Sequence, residues 1–275
     1  MRIVFRTTLV HLFCLSAVLS LMASAPETAP KRNQGGSSVV ILGPIEMQAV
    51  LVEGGTFNMG DMWSVGGDNE KPVHEVKLSD FYISISEVTI GEYKEFCKRT
   101  HRKMPLQDDG SQDNFPVAYV TWYEAKNFCD WVGGQLPTEA QWEYSARCKG
   151  KPMIYPSGEH IDHSLANYSG KERKDRWERT SPVKKFKPNV LGIYDLAGNL
   201  YEWCFDYYKS DYYAKSFKVD PTGPSSGLYK VLRGGSWYHH ENELRTSHRF
   251  RYLAVARVSY VGFRVAWNPD KTQIK

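Results

Sequence analysis

Apolar and polar positions alternate loosely over residues 50–57 around Gly54-Gly55, which predicts a strand with a turn or bulge. Residues 73–78 and 81–85 predict two more short strands. The period then lengthens. Thr89 can cap a helix over 90–99, with Tyr93, Phe96 and Cys97 facing inward. Thr121 opens a second helix over 122–132, with Trp122, Ala125, Cys129 and Val132 inside and Gly133-Gly134 as its stop. Pro137-Thr138-Glu139-Ala140 opens a third, in which Thr138 is the N-cap and Gln141 completes a capping box. Between 145 and 227, Gly, Pro, Asn and Asp recur, so long ordered loops with short regular elements are expected. Final strands are predicted at 229–232, 235–237 and 262–267. No repeat and no linker divides residues 45–270, so one α+β domain is the simplest account.

One segment, LRGGSWYHHENELRTSHRFRYLAVARVSYVGFRVAW at 232–267, breaks the pattern. Its ends read as framework. Between them, aromatic, imidazole and aliphatic side chains follow no steady period of two or 3.6. Rings at irregular spacing suit a binding surface, because they offer large rigid contact area at low entropy cost. The alternative is a core segment of loops and short strands.

Composition narrows the class. An apolar content of 41% and a mean hydropathy of −0.49 describe a soluble chain, long enough at 275 residues to bury a real core. Eight Trp, seventeen Tyr and twelve Phe could pin a loop-rich fold or line a ligand site. The formal charge is +4, with basic and acidic residues mixed. The one basic concentration, Lys171, Arg173 and Lys174 with Lys184, Lys185 and Lys187, is diluted by Glu172, Asp175 and Glu178. It reads as a solvated loop, and no nucleic-acid partner is expected.

Arg2 and Arg6 precede an apolar run over 9–22 and small residues at 23–25. Residues 1–25 therefore read as an export signal, too short to remain as a membrane span. Leu21-Met22-Ala23-Ser24 differs from a lipoprotein signal at Ser24, where that signal carries Cys, so a membrane tether would require lipidation that this pattern does not support. Residues 26–44 suit a flexible tether. Cys97, Cys129, Cys148 and Cys204 fit no compact zinc motif, and buried thiols and bridges stay equally open.

The fixed motifs carry a resemblance. GGTFNMG at 54–60, EVT at 87–89, LPTEAQWEYSA at 136–146, GIYDLAGNLYEW at 192–203, RGGSW at 233–237 and GFR at 262–264 occur in one order. Together they resemble the formylglycine-generating-enzyme, or sulfatase-modifying-factor, branch of the C-type-lectin-like fold, over about residues 48–267. The resemblance implies an α+β fold of extensive ordered loops with few short strands and helices. The enzymes carry two cysteines after the Gly-Gly-Ser turn that bind copper and perform the oxidation. His239 and Leu244 stand there in this chain, so that chemistry is missing. A metal-dependent oxidoreductase related to those enzymes, or a metal site at His239, His240 and His248, is the alternative reading.

The segment at 233–266 is also similar to the variable region of proteins diversified by retroelements, such as the treponemal variable proteins. These systems mutate adenines in template codons such as AAC or AAT. The resemblance implies a noncatalytic, exported, cell-surface or secreted protein whose hypervariable site binds a protein or another cell-surface ligand. Its diversified positions would be Tyr238, His239, His240, Asn242, His248, Phe250, Tyr252, Leu253, Val255, Val258, Ser259 and Tyr260. Every residue type among them is reachable from such codons. Trp237, Glu241 and Glu243 are not, so they would be framework or undiversified. Trp122, Trp142, Trp203 and the glycine turns would supply a rigid scaffold.

Asp195, Gly198, Leu200 and Glu202 match a calcium loop of the same branch, against a plain turn closed by hydrogen bonds. A second calcium loop is damaged, because its carboxylate position is Lys184, with Asn167 nearby. No cofactor is otherwise required. Glu139 and Glu143 share a helix face, but nothing pairs them with a nucleophile, so a structural role is expected. Arg233, Arg245, Arg249 and Arg264 are expected to hold carbonyls or carboxylates through their donor forks, and Arg251 and Arg257 to reach the binding surface.

Overall fold

The computed structural model describes residues 39–170 and 177–271. The first sheet takes β1 (Val39–Leu42), β2 (Met47–Val52), β5 (Phe81–Ser84) and β10 (Ala266–Trp267) in the order β1-β2-β5-β10, all antiparallel. Between β2 and β5 in sequence, β3 (Gly55–Met59) and β4 (His74–Leu78) form a separate antiparallel pair. The second sheet has the order β8-β7-β6-β9, from β6 (Tyr201–Tyr207), β7 (Tyr229–Arg233), β8 (Phe250–Leu253) and β9 (Val261–Gly262), with β9 parallel to β6. Among the described residues, three α-helices complete the fold: α1 (Ile90–Thr100), α2 (Trp122–Trp131) and α3 (Glu139–Ala146).

Local chemistry starts each helix. Thr89, Thr121 and Thr138 accept hydrogen bonds from the backbone N–H three residues on, at 3.2, 3.2 and 3.1 Å. Glu92, Glu124 and Gln141 reach back to the capping residue's own N–H. Each capping box satisfies two donors the helix cannot. Thr138→Ala is expected to lower stability by about 1 kcal/mol. Urea unfolding would measure this, and a change indistinguishable from zero would mean that the cap contributes nothing.

The core forms two main apolar clusters. Tyr93, Phe96 and Phe128 pack with Phe263 and Trp267 in one, and Trp142 packs with Phe57, Val76 and Ile83 in the other. Trp142 and Trp203 are fully buried and Trp122 nearly so, as a rigid scaffold requires. Each buried indole donates: Trp142 to Glu202, Trp122 to the Cys204 carbonyl and Trp203 to the Val120 carbonyl. Cys97, Cys129, Cys148 and Cys204 are free, buried thiols.

Several expectations need correction. Residues 39–42 belong to β1, so the domain begins inside the expected tether. The export signal and residues 26–38 lie outside the described residues, as do Lys171, Arg173 and Lys174. Gly235 and Trp237 lie in a turn, because Gly234 and Gly235 take φ of +98° and +71°. A Cβ on Gly235 would come within 2.6 Å of Leu244 Cδ1, so this turn needs glycine. The expected final strand breaks into β9 and β10. In the region expected to be mostly loop, β6 runs seven residues. Phe128 joins the inner face of α2.

Candidate binding surface

Strand β7 ends at Arg233, whose guanidinium is fully buried. It donates to Glu143 Oε2 at 2.6 Å, Glu139 Oε1 at 3.2 Å and the Ser247 carbonyl at 3.1 Å, and also to the Thr246 carbonyl. Arg249 grips both oxygens of Glu139 at 2.7 and 2.9 Å. Arg245 grips both oxygens of Glu70 at 2.8 Å. Burial pushes the Glu70 carboxyl up, but bonds from Arg245 and Ser247 outweigh it and bring it to about 2. Burial likewise opposes ionisation of Glu139, and Arg249 and Arg233 reverse it, leaving that carboxyl below its ordinary value. Paired charges of this kind are tolerated inside a protein because every donor fork meets a carboxylate or carbonyl. Glu139 and Glu143 thus serve structure, as expected.

These forks fasten the backbone between Leu244 and Arg249. Thr246 Oγ1 adds a bond to the Met153 carbonyl at 2.7 Å, and Ser247 Oγ one to Glu70 at 2.7 Å. Leu244 is buried against Ala166 and Tyr168. The twelve expected variable positions lie on either side of this fastened stretch or, like His248, within it. None of the twelve is buried: each is exposed or half-buried.

Six of them gather into one surface. Tyr238 and Tyr260 stack with centroids 5.6 Å apart. His239 meets Tyr260 edge-on at 5.0 Å and Phe250 at 6.0 Å. Phe250 and Tyr252, on one face of β8, are 6.4 Å apart. Beneath them lies the buried ring of Tyr201, stacked on Phe250 at 5.1 Å and 4.7 Å from His239. His248 sits 6.3 Å from the same ring. The result is a plate of rings on an aromatic floor.

The other six are more scattered. Leu253 and Val255 are exposed beyond the end of the plate, and Val258 packs against the core from the surface. The Ser259 carbonyl accepts from Trp237 Nε1 at 3.4 Å. His240 Nδ1 lies 3.1 Å from the Ser169 carbonyl, and Asn242 is exposed on the helical turn Glu241–Leu244. Arg251 is a correction: it leaves the other face of β8, over Tyr208 and Tyr229. Arg257 is another, since it is held by Glu124 and the Tyr119 carbonyl, away from the plate. Tyr201 was not foreseen at the site. It stood in a fold motif, and nothing local tied it to residues 238–260.

Burial holds the His239 and His248 imidazoles down at about 4, His248 in spite of Glu70. An unfolded histidine takes its proton near pH 6.5, so this contribution is fully present above 6.5 and is lost as pH falls towards 4. Relative to a His239→Asn/His248→Asn variant, the wild type is expected to lose melting temperature between pH 7 and 4.5. Asp195 and Asp206, raised by burial to about 6 and about 7, titrate in the same interval but are common to both proteins. A temperature difference that stays constant with pH would contradict the assignment.

The Asp195–Glu202 loop holds its carboxylates in internal hydrogen bonds. Glu202 Oε2 accepts from Arg264 Nε at 2.6 Å and Trp142 Nε1 at 2.7 Å, and Oε1 accepts from Arg264 Nη2 at 2.7 Å. Asp195 Oδ2 accepts from the Lys184 N–H at 2.7 Å. The Leu200 N–H donates to Glu87, and the Gly198 N–H to the Gly234 carbonyl. The Arg264 guanidinium thus occupies the Glu202 carboxylate that a cation would need. Among the described residues, no group of three or more His, Cys, Asp or Glu side chains is arranged to hold a metal ion.

The motif order, the two small sheets and the arginine-held turn define a family. Residues 44–269 match the sulfatase-modifying factor enzyme 1-like domain, and the chain belongs to that family. It is 38% identical over 247 residues to a protein of Chlamydia pneumoniae named serine/threonine-protein kinase pkn1, covering 82% of this chain and 38% of that one. The chain thus spans under two fifths of the length of the chlamydial relatives it matches. PvdO of Pseudomonas aeruginosa superposes with a TM-score of 0.74 at 27% identity, over 85% of this chain and 99% of that one. Treponema denticola variable protein 1 superposes with a TM-score of 0.69 at 25% identity, over 84% and 98%. The α+β architecture expected from the motifs is the one observed.

Proposed function

We propose that this domain is a noncatalytic recognition module that presents the ring plate, with the variable positions around it, to a protein or other cell-surface ligand outside the cell. One observation carries the reading. All twelve expected variable positions reach the surface, while the arginine forks anchor the intervening backbone internally. Side chains at the exposed positions can change without removing core contacts, and only Phe250, Tyr252, Val258 and Tyr260 of the twelve also pack against the core cluster from the surface. The likeness to a treponemal variable protein supports it. So does Leu244, an inert core residue where the related enzymes place a reactive cysteine. Export rests on the leader at 1–25. No helix among the described residues is long and apolar enough to cross a membrane. The experiment is a series of Tyr238→Ala, Phe250→Ala and Tyr252→Ala, each read for ligand capture and for melting temperature.

The module works without a bound metal. Adding EDTA is expected to leave the melting temperature unchanged. A fall of several degrees, restored by calcium, would return the Asp195–Glu202 loop to a metal-binding role.

A further inference from the structure

A groove of about 940 Å³ runs between α1, α2 and residues 102–109, and none of the twelve variable positions lines it. Its floor is the edge of the core. Tyr93 and Phe96 lie there, both buried, with ring centroids 5.3 Å apart. Met104 and Leu106 form a wall, and Leu106 is 88% exposed. One exposed leucine is ordinary on a protein surface. This one borders a concave space whose floor is already apolar, which is how small-molecule sites are built. An aliphatic chain laid in the groove would take both the floor and the leucine out of water.

The charges around the groove are unequal. Arg102 and Lys103 are exposed on its lining. The Arg102 guanidinium lies 5.5 Å from the Phe96 ring, which puts a cation over the floor itself. Among the described residues, neither Arg102 nor Lys103 is in an ion pair. The carboxylate of Glu124, also on the lining, is already neutralised, because Arg257 holds both of its oxygens at 2.6 Å. Asp109 stands at the far end of the segment from Arg102 and Lys103, where the groove meets a second cleft bordered by Trp177 and Arg179. One end of the groove therefore offers free positive charge beside an apolar floor.

We propose that this groove is a second binding site, for a single-chain amphiphile with a carboxylate head. The chain lies over Tyr93 and Phe96 beside Leu106, and the head meets Arg102 and Lys103, where charge-assisted bonds hold it. The site is independent of the plate. Its lining contains no variable position, so its occupant stays the same whatever side chains the plate displays.

The test is an NMR titration of the whole protein with octanoate, octanol, octylammonium and acetate, read at the amides of Phe96, Arg102, Lys103 and Leu106. Octanoate is expected to shift them at concentrations about tenfold lower than octanol, with octylammonium weakest. Acetate, a head without a chain, is expected to leave them unmoved at those concentrations. Arg102→Gln/Lys103→Gln alters two exposed side chains and is expected to bring octanoate down to the level of octanol. Leu106→Ser is expected to weaken octanoate and octanol alike. No response to octanoate, or equal responses to the three eight-carbon probes, would overturn the site. So would a preference that survives in Arg102→Gln/Lys103→Gln, or shifts confined to residues 238–260. Sedimentation with phosphatidylglycerol vesicles, without any response to octanoate, would make this face a bilayer contact and overturn the groove as a site for a single chain. Ligand capture that is lost in Tyr252→Ala reports on the plate alone, so either site can fail while the other stands.

Discussion

Arg233→Met is expected to destabilise the domain by about 3–5 kcal/mol, the usual consequence of removing one partner from a buried charged group. Arg233 bonds two carboxylates and two carbonyls, and all of these groups are inside the protein. Methionine roughly matches the stem but donates nothing. Glu139 would retain Arg249, and Glu143 would retain Arg147 at 2.9 Å, so neither carboxylate is abandoned. The carbonyls of Thr246 and Ser247 have no such reserve among the contacts described. The loss should therefore fall on the stretch that anchors the variable surface. Hydrogen exchange is expected to speed up over residues 244–249 before the rest of the domain opens. Urea unfolding gives the magnitude. A loss below about 1 kcal/mol, in the range of exposed pairs, would mean that the network is solvated.

Truncating the plate should do the opposite, leaving the fold and removing the function. Tyr252→Ala and Phe250→Ala are each expected to weaken ligand binding by about 2 kcal/mol or more, as aromatic anchors at the centre of an interface do. Tyr252 is half-buried and packs against the core from the surface of β8, so a modest fall in melting temperature is expected on its loss. Phe250 stacks on the buried Tyr201 ring, and a modest fall is expected there. Tyr238, the most exposed ring of the plate at 61%, should affect stability least. Isothermal titration and thermal melting on the same samples separate the two effects. Binding that survives all three substitutions would move the recognition surface elsewhere.

Other surfaces lend themselves less to this role. A groove of about 940 Å³ lies between α1, α2 and residues 102–109, bordered by Arg257. None of the twelve variable positions lines it. The plate, in contrast, is built from the expected variable positions, of which Phe250, Tyr252 and Tyr260 also pack against the core from the surface.

The helices were legible because their signals are local. Thr89, Thr121 and Thr138 act on N–H groups three residues away, and apolar faces repeat with the turn. The motifs identified the architecture because their order is a property of the chain. The expected variable positions were chosen from the irregular spacing of rings between framework ends, and five of them are exposed and seven half-buried. Strand β6 was missed because Tyr201, Glu202, Trp203 and Cys204 are all buried, and a strand covered on both faces shows no alternation. Pattern also misplaced Gly235, which lies in a turn against Leu244, and Trp237, whose N–H donates to the Asn199 carbonyl and not to a ladder partner.

Residue types and short spacings along this chain set its caps, its helix faces, its glycine turns and the family it belongs to. They could not say which acid each arginine would meet. Arg233 finds Glu139 across 94 positions, Arg249 finds it across 110, and Arg245 finds Glu70 across 175. Nor could they place Tyr201 under the plate. Those pairings form only when distant segments pack together and exclude water, and no periodicity within one segment carries that information.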